Sequence, residues 1–311
     1  MARYYLLAVV VGCVMAAAMA LPGATSEVEL EFEAWLVKFD KKYTAGEKAF
    51  RLEVFASNLE AVNKCNARYA RGETHFTCGK NKFMDWTREE RAKLRGFRSS
   101  KATHEPISSY IYRDVVPSET VDWRKLGKVT PVKDQGQCGS CWAFSAIGAL
   151  EGAAAIAVNH SWEDTGSTTG FSEQQIVDCD HLNQDAGCDG GDMPSAMQYI
   201  HQNGGVTAEE LYYYTASDGK CRSNVANISI GTLGGVYMIP TKNETALRQA
   251  STMQPVSVAI DASCDEFMYY DYGVFDSSCG TDLDHGVLVV GYEIEPSKNF
   301  GYWIVKNSWG E

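Results

Sequence analysis

The apolar pattern of this chain changes from helical to extended spacing at about residue 225. That switch limits the fold to a helical part followed by a sheet-rich part, because the two spacings bury different faces. Before the switch, the Ala-rich run over 142–158 reads as a helix. Ser172 with Gln175 three positions on reads as a capping box opening a second helix, and Asp192 to Gln202 reads as a third. After the switch, Val256–Ile260, Gly286–Val290 and Tyr302–Val305 read as buried strands. The fold class is α+β, with no internal repeat.

Chemistry is concentrated at the start of the first of these helices. The stretch runs Gln135-Gly-Gln-Cys138-Gly139-Ser-Cys141-Trp142. A cysteine at a helix N-terminus has its thiolate favoured by the macrodipole. A nearby glutamine amide can donate to a developing oxyanion. The sheet-rich part supplies His285, within Leu283-Asp284-His285-Gly286, and Asn307, within Lys306-Asn307-Ser308-Trp309. A cleft between the two parts would join a nucleophile to a base. Two other readings compete. Cys141 as a buried structural cysteine is the ordinary case. Cys138 and Cys141 also form a C-x-x-C pair, so a secreted thiol–disulfide protein is an alternative. The motif follows a loop bearing Pro131 rather than a strand of a βαβ unit, which favours nucleophilic catalysis.

Together these segments resemble the papain-like cysteine proteases. The resemblance covers nearly all of the chain after its first few dozen residues. It implies a two-domain fold, with a helical left domain, a β-barrel-like right domain and the active-site cleft between them. It implies an endopeptidase in which Cys141 and His285 form a thiolate–imidazolium pair and cut peptide bonds through a thioester. Asn307 would orient the imidazole, Gln135 would hold the oxyanion, and Trp309 would shield the His–Asn hydrogen bond. Gly139, Gly190, Gly191 and Asp284 would contact substrate. Met193, Ala259 and Leu283 would line an apolar pocket for the second residue before the cut, with Asp192 on its rim. The resemblance also implies the disulfides Cys138–Cys188 and Cys179–Cys221. No metal or organic cofactor is implied.

Over residues 27–96 the chain reads as helical and then briefly extended. Glu47, Arg51, Phe55, Asn58, Val62 and Asn66 line one helical face. They match the family's ERFNIN propeptide motif, with valine for isoleucine at 62. Gly79, Asn81, Phe83 and Asp85 match its GxNxFxD companion. The resemblance implies an inhibitory propeptide of the cathepsin L type. Residues 97–115 read as a polar linker. Val116-Pro117 through Asp122-Trp123-Arg124 resembles the start of a mature enzyme. The expected organisation is a signal peptide over 1–20, a propeptide over 21–115 and a peptidase domain over 116–311.

The remaining features concern compartment and partners. Arg3 precedes an apolar run and Ala18-Met19-Ala20, as in a secretory signal. No segment approaches a membrane-spanning length, and the net charge of −12 argues against nucleic acid. Residues 116–311 carry −16 and residues 21–115 carry +3, so the two parts attract at neutral pH. Secretion favours disulfides, but spacing leaves the partners of Cys65, Cys78, Cys264 and Cys279 open. Asn159, Asn227 and Asn243 begin glycosylation sequons. The expected partners are protein or peptide substrates, the chain's own propeptide and cystatin-like inhibitors, for a monomer of the lysosome, vacuole or extracellular space. Relatives continue past the position of Glu311, so a chain truncated at its C-terminus is expected, and a truncated inactive family member is a further alternative.

Overall fold

The computed structural model describes residues 26–99, 110–162, 170–295 and 300–311. The expected signal peptide and residues 100–109 of the expected linker lie outside the described residues. The chain divides into two units, Met1–Leu52 and Glu53–Glu311.

In the first unit, α1 (Glu27–Lys38) opens on a full capping box. Ser26 Oγ accepts from the Glu29 N–H at 3.2 Å, and Glu29 reaches back to the Ser26 N–H at 2.6 Å. Phe32, Trp35 and Leu36 recur on one face and are buried. Lys48 pairs with Glu33 at 2.6 Å. Helix α2 (Ala45–Ala70) begins in this unit, where Arg51 lies 3.7 Å from Glu47 one turn earlier.

In the second unit, α2 continues with Phe55, Asn58, Leu59, Val62 and Cys65 buried. Two of its asparagines, Asn58 and Asn66, explain why a helix carries amides on its inner face. Asn58 Nδ2 donates to the Met84 and Trp86 carbonyls at 2.9 and 3.0 Å. Asn66 exchanges two bonds, each 2.9 Å, with the backbone of Cys78. A disulfide joins Cys65 to Cys78. Together they clamp strand β1 (His75–Cys78) onto the helix. The helix α3 (Arg88–Ala92) follows with its own Thr87–Glu90 capping box.

The helical part after residue 116 includes α4 (Cys141–Ala157), α5 (Glu173–Cys179) and α6 (Met193–Gln202). They share a core with Trp142, Ile147, Ile176, Met193 and Ile200. The capping box expected at Ser172 is half formed. Ser172 Oγ accepts from the Gln175 N–H at 3.0 Å. The Gln175 side chain instead bonds Tyr199, Ala226 and Thr207. Burial among Tyr199 of α6, Ala226 and Thr207 supplied the Gln175 amide with partners away from the helix cap.

A short helix α7 (Ser223–Ala226) leads to the sheet-rich part. Here α8 (Glu244–Met253) precedes β3 (Val256–Ile260), and α9 (Asp265–Met268) precedes β4 (Tyr270–Val274). Strand β5 (His285–Glu295) is the hub of an antiparallel sheet. One edge pairs with β6 (Phe300–Lys306). The other is shared by β3 and by β2 (Thr120–Asp122). Val287–Val290 is apolar without alternation because both faces are covered. Leu288 and Val290 pack with Ala149 of α4, whereas Val289 packs with Ala250 of α8. Each such side chain contributes about 1.5–3 kcal/mol through burial.

Both described ends of the segment 97–115, read as a linker, are anchored on the rest of the chain. Phe97 and Arg98 donate backbone bonds to Asp284 and Gly191 at 3.0 and 2.9 Å. At the other end, Tyr110 Oη donates to the Ala246 carbonyl at 2.6 Å, and Gln249 Nε2 donates to the Arg113 carbonyl at 2.8 Å. Backbone anchors leave no trace in polarity or periodicity. Among the described residues four disulfides form, Cys65–Cys78, Cys138–Cys188, Cys179–Cys221 and Cys264–Cys279.

Candidate active site

Cys141 is the first residue of α4, and among the described residues it is the cysteine outside a disulfide. The Cys138–Cys188 bridge and the Gly139 N–H to Cys188 carbonyl bond at 2.9 Å fix the approach to this helix. The second residue of β5 meets the sulfur: Gly286 N–H donates to Cys141 Sγ at 3.3 Å. His285, the first residue of β5, is thereby brought beside the same helix end.

The hydrogen-bond directions at His285 follow from elementary constraints. The Ser308 backbone N–H donates to one side-chain atom of Asn307 at 2.8 Å, so that atom is the oxygen. The same Oδ1 lies 2.8 Å from His285 Nε2. An amide oxygen accepts, so Nε2 carries the proton and donates. Nδ1 is then the acceptor nitrogen, and it is buried without a hydrogen-bond partner. The Trp309 ring lies 4.7 Å from the imidazole, centroid to centroid. Phe83 and Phe267 meet Trp309 edge-on.

Gln135 is fully buried and held at both ends of its amide. Ser308 Oγ donates to its Oε1 at 2.7 Å. Its Nε2 donates to the Cys138 carbonyl at 2.8 Å and to the Leu94 carbonyl at 2.9 Å. Leu94 belongs to the region read as propeptide, so a propeptide carbonyl occupies the donor expected for an oxyanion. The backbone continues over the cleft. Gly191 N–H donates to the Gly96 carbonyl at 2.9 Å, and Arg98 N–H donates to the Gly191 carbonyl at 2.9 Å. This approach requires glycine on both sides. A Cβ on Gly96 would stand 1.7 Å from the Gly139 carbonyl oxygen, and one on Gly191 would stand 2.6 Å from the Trp142 ring.

Burial sets the protonation of the pair. It pushes the Cys141 thiol up to about 11, ahead of the lowering backbone hydrogen bonds. It pulls the His285 imidazole down to about 4 against the raising bond to Asn307. With Leu94–Arg98 over the cleft, burial favours the neutral form of both groups.

The other expected site residues fall in different settings. Met193 is buried in the Trp142 cluster, and Ala259 packs against that cluster together with Phe97. Gly190 adopts φ 115° beside the Gly96 carbonyl. Leu283 is exposed. Asp284 pairs through Oδ2 with Arg95 at 2.7 Å and accepts from the Ala262 N–H at 2.8 Å. Asp192, expected on the rim, adjoins Gly191, which the Gly96–Arg98 backbone covers. It is buried, and its N–H donates to Asp185 Oδ1 at 2.9 Å. Its position is the N-cap of α6, directly after Gly191.

Residues 94–98 and Ser308 were missed from sequence. Ser308 carried one signal, its place between Asn307 and Trp309. Among the described residues no cluster of His, Cys, Asp and Glu has metal-site geometry.

Residues 117–311 match the papain family cysteine protease domain, and residues 32–90 match the cathepsin propeptide inhibitor domain. The chain is 42% identical over 287 residues to the senescence-specific cysteine protease SAG39 of Oryza sativa subsp. japonica, covering 89% of this chain and 79% of that protein. It is 39% identical over 303 residues to cathepsin L2 of Homo sapiens, covering 94% of this chain and 87% of that protein. The structure of digestive procathepsin L 3 from Tenebrio molitor larval midgut superposes with a TM-score of 0.79 at 37% identity, covering 92% of this chain and 90% of that one. A recombinant stem bromelain precursor gives 0.78 at 35%, covering 92% and 88%. Matches of this extent make the chain a member of the papain family, a cysteine endopeptidase carried as a zymogen with its own cathepsin-type inhibitor.

Proposed function

We propose that Cys141 is the nucleophile, His285 the base and acid, Asn307 the group orienting the imidazole, and Gln135 an oxyanion donor. The carrying observation is the Asn307 oxygen shared by Ser308 N–H and His285 Nε2, which leaves Nδ1 to take the thiol proton. With the cleft open, water and the α4 dipole favour the thiolate–imidazolium pair. The sulfur adds to the substrate carbonyl, and Gln135 Nε2 and the Cys141 N–H hold the oxygen as it becomes negative. His285 gives its proton to the leaving amine, and the thioester forms. His285 then takes a proton from water, which attacks the thioester and releases the acid. Gly139, Gly190, Gly191 and Asp284 line the substrate path, and Trp309 keeps water from the His–Asn bond.

Phe97 packing against the Met193 cluster supports an apolar side chain at the second residue before the cut. A substrate with its scissile carbonyl on Gln135 has its preceding residues at Gly191. The propeptide has its following residues there, so it crosses the cleft in the opposite sense. Inhibition is therefore both steric and electrostatic: the segment blocks the cleft and its burial of the pair removes the charges.

The mature enzyme works as a monomer in an acidic lysosomal, vacuolar or extracellular setting, after secretory targeting by residues 1–20. It uses Asn159, Asn227 and Asn243 as glycan sites and is open to cystatin-like inhibitors. The signal-like start, the sequons and four disulfides support this reading. Among the described residues no helix is long and apolar enough to cross a membrane.

Acidifying the purified precursor tests the proposal. Cleavage near residue 115, found by N-terminal sequencing, should coincide with hydrolysis of a fluorogenic dipeptide bearing phenylalanine second from the cut. Cys141→Ala should reduce turnover by about 10⁴-fold or more while the precursor still folds. Comparable turnover by a folded Cys141→Ala would overturn the assignment.

A further inference from the structure

A second polar assembly lies behind the cleft, between the helical and sheet-rich parts of the enzyme. Lys306, the last residue of β6, donates from Nζ to Thr130 Oγ1 at 2.8 Å. Thr130 Oγ1 donates to Glu151 Oε2 at 2.5 Å. Glu151 sits in α4, and its Oε1 accepts from Lys133 Nζ at 2.9 Å and from the Phe171 N–H at 3.0 Å. Lys133 also reaches Glu173 Oε1 at 2.6 Å. Both glutamates are within 2% of complete burial. The group borders a cavity of about 20 Å³, room for about one water molecule, whose wall also includes Ser145, Gly286 and Asn307.

Buried charges of this kind are a poor route to stability. Apolar replacements of similar volume are often as stable, because each ion must be stripped of water. What the assembly does have is a place. Lys306 immediately precedes Asn307. Glu151 lies on the helix whose first residue is Cys141. The link Lys306–Thr130–Glu151 thus runs between the two elements that carry the imidazole-orienting amide and the thiol. Ser145, one turn from Cys141, adds a parallel tie by donating to the Val287 carbonyl at 2.7 Å, two residues beyond His285.

We propose that Lys306, Thr130 and Glu151 are positioning residues, which hold β6 against α4 and so fix the Asn307–His285 pair relative to the Cys141 thiol. This rests on the assignment of Cys141, His285 and Asn307 made above. Charge-assisted bonds through a single hydroxyl are directional, whereas apolar packing at the same seam tolerates sliding. A small displacement of strand end against helix start would lengthen the path of the proton from sulfur to Nδ1.

Thr130→Val tests it, since it deletes both hydroxyl bonds without changing charge and with little change in size. Thr130→Ser, which keeps the hydroxyl, is the rescue, and Lys306→Met is the second break. Each full-length precursor is processed with acid, and active sites are counted with a peptidyl epoxide, so poor folding lowers the count rather than the turnover per site. Thr130→Val and Lys306→Met should lower kcat per site about tenfold, with KM within about twofold, and should slow epoxide inactivation in parallel. Thr130→Ser should restore most of kcat. Unchanged kcat per site in Thr130→Val or Lys306→Met, with only a lower melting temperature, would overturn the proposal and leave a structural ion cluster. Thr130→Ser as impaired as Thr130→Val would also overturn it. Full turnover by Cys141→Ala in the same assay would instead remove the underlying assignment, which separates the two failures.

Discussion

The propeptide–enzyme surface and the seam between the two parts of the enzyme are both crossed by charged side chains, but at different depths. Across the propeptide surface, Arg68 meets Glu266, Lys82 meets Asp134, Arg91 meets Asp265 at 2.8 Å, and His75 meets Asp276 at 2.6 Å. Each of these pairs has at least one partly exposed member. At the seam, Glu151 and Glu173 are almost wholly buried around Lys133. The first surface must come apart for the enzyme to work, and the second must not. Exposed pairs are weakened by water, salt and protons. Buried ones fail badly only when a partner is removed. One chemistry therefore serves both a releasable and a permanent joint, and depth decides which.

The largest expected effect breaks the permanent joint. Glu151→Ala leaves Lys133, the Thr130 hydroxyl and the Phe171 N–H without their shared acceptor and should cost about 3–5 kcal/mol in thermal or denaturant unfolding. A cost near that of an exposed pair would erase the distinction. Next comes the backbone contact of the releasable joint. Gly96→Val places a side chain against Gly139, so the uncleaved precursor should hydrolyse a dipeptide at pH 7, with propeptide inhibition weakened about a hundredfold, or roughly 3 kcal/mol. A precursor still silent at pH 7 would show that ion pairs dominate docking.

A third test uses pH. Asp185 is pushed up to about 9 and Asp180 up to about 6, first by burial and then, for Asp185, by the neighbouring Asp180 and Asp192 carboxyls. The folded state thus keeps protons that the unfolded chain loses above the ordinary carboxylate range. The stability these two carboxyls contribute is fullest in acid and falls as pH rises through that window toward 9. His285, lowered to about 4, opposes this between about 4 and 6.5. Asp185→Asn keeps an acceptor for the Asp192 N–H, so it should flatten the loss between pH 5 and 8 by about 1–2 kcal/mol. An unchanged slope in a melting-temperature series would sink this account. The smallest effect is expected for His75→Ala, whose side chain is 78% exposed. It should change precursor stability by less than about 1 kcal/mol, and less still in high salt. A larger, salt-insensitive loss would mean that the outer pairs are not the weak ones.

Much of this was legible in the sequence, for particular reasons. The switch in apolar spacing foretold α4, α5 and α6 before β3, β5 and β6. The segments around Gln135, Cys141, His285 and Asn307 were visible because each has an unusual local context. What escaped was whatever depends on contacts between distant segments. Leu94–Arg98 crosses the cleft by main-chain bonds, which no side-chain pattern encodes. Lys133, Glu151 and Lys306 have the composition of a solvated surface, and only the fold buries them. The bond from the Asp192 N–H to Asp185 also joins positions whose proximity no local pattern reports. The pairing of Cys264 with Cys279 stayed open for the same reason, as spacing does not fix proximity.

Strand β1 of the propeptide pairs with β4 of the enzyme from His75 opposite Val274 to Cys78 opposite Tyr270. Maturation therefore takes away a strand as well as a plug. The row of amide and carbonyl groups along Tyr270–Val274 is left open, flanked by the exposed rings of Tyr270 and Tyr272. An open edge of this kind invites another extended chain, including a second copy of the enzyme. Asp271 and Asp276 stand beside it as like charges that repel such a copy. Removing the inhibitor thus turns a covered margin into an adhesive one, and self-association becomes a hazard of activation.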